Sequence, residues 1–244
     1  MKEISGPIKL YLTSKCVVPR QALKIGKVNA GLDMTGFDLA GKTGVKNRVY
    51  FTEGLQACTG GVVLGKQLNM FHENSSIYKD AVDAQYKIFP AITEKILKMA
   101  RETKEKIQVA LFGGWGYGSN HNIEEVEKSH NLFNNIALCI EENLPEKEGI
   151  EVPLLTIWGK LDSKKPDAVY ARGNTIVLIS DIFKSMFNKG KCDLDREGII
   201  NFLKKHYEEV QIPKDVNIVA EESYTPPMGF MDSLYRKKKI SLLV

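Results

Sequence analysis

The run "IQVALFGGWGYGSN", with the helical pattern that follows it and then "VPLLTIWG", constrains the fold more than any other part of this chain. "IQVALF" is a continuous apolar run rich in branched and aromatic residues, which predicts a strand buried on both faces. Such a strand needs cover on each side. The glycine loop and a helix from about Ile123 to Asn143, which Ser119 or Asn120 could cap, supply a layer on one of them. "PIKLYLT", "RVYFTEGL", "TGGVVLG", "NTIVLIS" and "VNIVAE" read as further strands, with a shorter one in "KVNAGLDM". "SIYKDAVDAQYKIFPAITEKILKMARETKEK" has apolar residues at helical spacing, and Pro90 breaks it into two helices. "DIFKSMF" and "DREGIINFLKKHYEEV" add helical stretches near the end. The pattern predicts a mixed α/β (α+β) fold, with sheet inside and helices outside.

Charge excludes some partners. The net charge is +4, and basic residues alternate with acidic ones in "KILKMARETKEK" and "NIEEVEKSH", the pattern of a solvated helix face rather than a nucleic-acid surface. No apolar run approaches a membrane span, and "MKEISGPIKLYLTS" lacks the apolar core of a signal peptide. The four cysteines, Cys16, Cys58, Cys139 and Cys192, are scattered without a CxxC pair, which argues against zinc or a disulfide framework and for a reducing compartment. The expectation is a cytoplasmic protein, or one secreted without a cleaved signal.

Three short motifs fail on context. "GFDLAGKT" (Gly36 to Thr43) matches the phosphate-loop pattern, but a strand-like segment follows it where a helix is required, and Asp38 would place negative charge in the cradle. "FGGWGYGSN" has the wrong glycine spacing for a dinucleotide loop and reads as tight strand-to-helix packing. "DLDREGII" resembles the start of a calcium loop but has Lys204 where a bidentate glutamate is needed, so it reads as a helix start.

Cys58 stands where a strand gives way to small residues (Ala57, Thr59, Gly60 and Gly61), which leave room at the sulfur for a substrate carbonyl and for backbone amides. A thiol becomes a nucleophile only on losing its proton, so it needs a base within reach. His72 follows after a segment long enough to turn back as an antiparallel neighbour, and Thr52, on the preceding strand, has a hydroxyl that could orient the imidazole. Other readings stay open: Cys58 as a structural thiol, and Thr52 as a branched residue filling a pleat. His121, His130 and His206 lie in or near charged helices.

Thr52, "LQAC" ending at Cys58, and His72 resemble the cysteine deamidase superfamily of the chemoreceptor glutamine deamidase (CheD) and the catalytic domains of the cytotoxic necrotising factors and Burkholderia lethal factor. There a threonine precedes a Leu-Gly-Ser-Cys or Leu-Ser-Gly-Cys nucleophile, and a histidine follows. "VALFGG", "NHNIEEVEKSHNLFNNIAL", "GIEVPLLTIWG" and "GNTIVL" follow the order of elements in the chemoreceptor enzyme, so the likeness covers about Lys27 to Leu178. Gln56 and Ala57 replace the small pair before the cysteine, the loop between Asp33 and Asn47 is longer, and residues after about Ser180 have no counterpart.

The resemblance implies a β-sandwich-like α/β core with flanking helices, formed by residues 1–180, and an extension, 181–244, packed on the same domain. It also implies protein glutamine deamidation by catalytic Cys58, His72 and Thr52, with no metal or organic cofactor. The partner would be a protein presenting an exposed glutamine, either a chemoreceptor of the same cell or a host protein. Two rivals are a binding module that kept the scaffold without the chemistry, and a nucleotide-binding protein using Gly36 to Thr43.

Overall fold

The computed structural model describes residues 7–26, 32–33, 49–55, 58–65, 68–74, 91–92, 94–99, 107–114, 123–138, 140–141, 154–160 and 167–227. Their strands form two short pairs, β2 (Lys15–Cys16) with β16 (Ser223–Tyr224) and β12 (Phe187–Asn188) with β13 (Lys191–Cys192), and two six-stranded sheets. The first contains β1 (Lys9–Thr13), β3 (Leu23–Ile25), β5 (Val49–Glu53), β10 (Ala168–Arg172), β11 (Thr175–Ile179) and β15 (Asn217–Ala220), in the order β15-β1-β11-β10-β5-β3. The second contains β4 (Leu32–Asp33), β6 (Cys58–Leu64), β7 (Leu68–Asn74), β8 (Gln108–Gly113), β9 (Leu154–Lys160) and β14 (Tyr207–Gln211), in the order β14-β9-β8-β6-β7-β4. Both are mixed, since β1 runs parallel to β11 and β15, and β8 parallel to β9, among antiparallel neighbours.

Strand alternation determines how the sheets meet. Leu10, Leu12, Tyr50, Val169, Ala171, Ile176 and Leu178 of the first sheet share one buried cluster with Val62, Leu64, Leu68, Met70, Ala110, Phe112, Leu155 and Ile157 of the second. Each Val, Leu, Ile, Phe or Met among them contributes about 1.5–3 kcal/mol when withdrawn from water, so this inter-sheet layer is a large source of stability. The opposite parity of the second sheet (Val63, Phe71, Val109, Leu111, Leu154, Trp158) meets Ile92 and Ile96 of one helical segment and Phe133 and Ile136 of α1 (Ile123–Leu138). Strands covered on both faces are apolar throughout: β8 is buried from Val109 to Gly113. Gly61 faces the helix side, where the Phe71 ring lies over it, and a Cβ there would come within 2.0 Å of Phe71 Cε1.

The fold is the expected mixed α+β sandwich with outer helices. Some boundaries differ. α1 is described to Leu138 and a wider turn holds residues 140–141, while Asn143, the expected end, lies outside the described residues. "DIFKSMF" forms a 3-10 helix, Asp181–Met186, started by the Ser180 side chain accepting from Ile182 N. Asp195 starts α2 (Arg196–His206), its Oδ1 accepting from Gly198 N at 2.8 Å, as a helix start rather than a calcium loop should. The helix does not continue through "HYEEV", however: Tyr207 turns extended and the next residues pair with β9 as β14. An open edge on β9 and a buried place for Tyr207, whose hydroxyl donates to Asp167 Oδ2 at 3.1 Å, outweigh the helical spacing. Strand β10 was not anticipated; it turns into β11 through Gly173 (φ +58°) and Asn174. Residues after 180 thus supply an edge strand to each sheet. No helix among the described residues is long and apolar enough to cross a membrane. Pro90, the loop Phe37 to Asn47 with its phosphate-loop pattern, and Ser119 and Asn120 lie outside the described residues.

Candidate active site

Strand β5 brings up Thr52. Along it Tyr50 and Thr52 face the inter-sheet core, Thr52 opposite Val169 of β10 on one side and Ile25 of β3 on the other. Strands β6 and β7 bring up the other two residues. Their antiparallel register begins at Leu64↔Leu68 and runs through Gly60↔His72 to Cys58↔Asn74. Because side chains alternate, Cys58, Gly60, Val62 and Leu64 point the same way as Leu68, Met70 and His72, towards the first sheet. Cys58 and His72 are therefore diagonal neighbours on one face, roughly 7–8 Å apart at their Cα atoms.

The two sheets meet at the imidazole. Thr52 Oγ1 lies 2.8 Å from His72 Nδ1, a hydrogen bond that crosses the sandwich. Both partners are buried, Thr52 at 1% exposure and His72 at 6%. The bond engages Nδ1. Gly60, opposite His72, lies against Leu55; a Cβ there would meet both methyls of that buried side chain at 3.1 Å. Of the four small neighbours of Cys58, Gly60 shares its face, Thr59 and Gly61 point to the helix side, and Ala57, with Gln56, lies outside the described residues.

The thiol is not poised as an anion. Burial pushes Cys58 up to about 12, and the carboxylate of Glu73 adds to the shift. Glu73 follows His72 on β7, faces the opposite side of the sheet from the thiol and is fully buried. At neutral pH Cys58 is thus a half-buried neutral thiol, and a thiolate forms only when a base takes its proton.

The end of β8 holds the backbone of Cys58, a role sequence reasoning missed when it assigned "FGG" to packing alone. Gly114 N donates to Cys58 O at 3.2 Å, and a Cβ on Gly113 would fall 2.1 Å from that oxygen. Gly114 (φ +65°) also abuts Trp158, whose ring a Cβ would reach at 2.4 Å. The two glycines let the strand end approach both Cys58 and Trp158. The signal was the glycine pair itself, at the end of a buried strand.

The other histidines are engaged elsewhere. His130 stacks on Trp158 with ring centres 4.7 Å apart, and its Nε2 lies 2.5 Å from Glu209 Oε1, on the helix side of the second sheet, across it from Cys58. His206 packs against Phe202 on α2. His121 and Cys139 lie outside the described residues, while Cys16, Cys58 and Cys192 are free thiols. No protein-family model and no curated protein matches this chain.

Proposed function

We propose that this chain is a cysteine-dependent protein glutamine deamidase. The observation that supports this reading best is the Thr52–His72 hydrogen bond across the two sheets, with Cys58 on the same face as the imidazole. The His72 tautomer in this mechanism donates Nδ1–H to Thr52 Oγ1 and takes up a proton at Nε2. As Cys58 Sγ attacks the carboxamide carbon of a glutamine, Nε2 takes the thiol proton, and backbone amides near Cys58 stabilise the oxyanion. The C–N bond then breaks and ammonia leaves with that proton. Water, deprotonated by His72, adds to the thioester, and the C–S bond breaks to give glutamate and the thiol. The raised Cys58 fits proton removal during attack, not a preformed thiolate. No metal or organic group takes part. The substrate is a protein with an accessible glutamine, from a chemoreceptor or from a host cell.

The same neutral thiol supports a second reading, a binding module on this scaffold that lacks the chemistry. Ammonia release from carbobenzoxy-Gln-Gly and from casein separates the two, alongside labelling of Cys58 by a chloromethyl ketone analogue of glutamine. Wild type should release ammonia and take the label, and Cys58→Ser, folded by circular dichroism, should do neither, because an alkoxide forms far less readily than a thiolate. Activity retained in folded Cys58→Ser would rule out this mechanism. Wild type that neither releases ammonia nor takes the label is the binding module.

A further inference from the structure

We infer that Gly26 is a positioning residue for His72: the absence of a side chain at this one backbone position lets the imidazole sit where Thr52 holds it. The inference rests on the proposed use of His72 as base. Gly26 follows Ile25, the β3 residue in register with Thr52, so the chain leaves the first sheet directly over the site. Its φ is +92°, a conformation that a residue with a Cβ rarely adopts. A Cβ built there would lie 2.4 Å from His72 Nδ1, 2.8 Å from Cγ and 3.0 Å from Cε1. Nδ1 is also the atom 2.8 Å from Thr52 Oγ1. The ring is therefore held at Nδ1 by a hydrogen bond on one side and by bare backbone on another. A methyl group at position 26 cannot share that space, so it must push the imidazole away from Thr52. A displacement of about 1 Å at a reacting group can cost on the order of a hundredfold in rate.

Two kinds of strain have to be separated, and the chain offers its own control. Gly173, in the β10–β11 turn, also has positive φ (+58°), but nothing lies within 4 Å of a Cβ built on it. Gly173→Ala carries positive-φ strain without a collision, and Gly26→Ala carries the collision together with a larger strain, since +92° lies outside the left-handed region that includes +58°. The two variants and wild type are compared by ammonia release from carbobenzoxy-Gln-Gly and by long-range proton–nitrogen spectra of the His72 ring. Gly26→Ala should lower kcat at least tenfold with KM little changed and should move the Nδ1 and Nε2 resonances. Gly173→Ala should keep the wild-type ring spectrum and kcat within about twofold. A wild-type ring spectrum in Gly26→Ala overturns the inference. The spectra report on the ring whether or not the chain deamidates anything, so failure of the enzymatic reading and failure of this one are distinguishable.

If Gly26→Ala does not fold, the pair Gly26→Ala/His72→Ala decides. Removing the ring removes the collision, so the double variant should fold and melt within a few degrees of Gly173→Ala/His72→Ala. A double variant that still fails to fold shows that Gly26 is needed for something other than the imidazole, and the inference falls.

Discussion

Thr52→Val should separate the hydroxyl from the shape that carries it. Valine keeps the branched side chain, and with it the packing between Ile25 and Val169, but removes the partner of His72 Nδ1 at 2.8 Å. Both groups are buried, so water does not replace the lost bond. A buried hydrogen bond is worth about 1 kcal/mol net, and a ring nitrogen deprived of its partner can cost roughly 1–3 kcal/mol. In a chain of this size each kcal/mol lowers Tm by about 2–4 °C, so a loss of roughly 2–12 °C is expected. If the same energy holds the ring in its working tautomer, kcat should fall about 5- to 150-fold with KM little changed. Thr52→Ser, which keeps the hydroxyl, should retain most of the rate and lose about 1 kcal/mol of packing. The assays are ammonia release and thermal denaturation by circular dichroism. Val at wild-type rate while Ser is impaired would refute the reasoning and make Thr52 a packing residue only.

Cys58, shifted from 9.0 to about 12, should hold about a thousandfold less thiolate at neutral pH than an ordinary thiol. The greater nucleophilicity of a more basic thiolate recovers roughly 16- to 32-fold, so iodoacetamide should alkylate Cys58 roughly 30- to 60-fold more slowly than free cysteine. Because the folded site binds its proton more tightly, the rate should keep climbing about tenfold per pH unit through pH 9–11, where a free thiol levels off; a plateau near pH 7 would instead mark a preformed thiolate. His72→Ala should slow ammonia release by a factor on the order of 10² or more, the range for loss of a general base, while His130→Ala and His206→Ala, whose rings pack on Trp158 and Phe202, should leave the rate within about twofold. Large losses in either of those two with none in His72→Ala would move the base elsewhere.

The sequence by itself determined the strands, whose periodicity is a local property: "KLYLT", "QVALFG" and "TIVLI" had to bury alternate or successive residues whatever they packed against. It also determined the helix start at Asp195, since a cap is completed within one turn. For the candidate site it placed Thr52 on one strand and Cys58 at the junction before the next, and a segment long enough to turn back made Cys58 and His72 candidate neighbours. What only the tertiary structure decided depends on contacts between distant segments. Helical spacing in "HYEEV" yields to the open edge of β9, because a backbone ladder and a buried Tyr207 outweigh local propensity. The Thr52–His72 bond joins different sheets, and no periodicity in either strand encodes which residues face one another across the sandwich. The neutral state of Cys58 depends on how far the surrounding sheets exclude water and on a carboxylate from the next strand. Gly26 was one glycine among 20 until folding laid it against the imidazole, because the space a missing Cβ leaves has meaning only once a neighbour fills it.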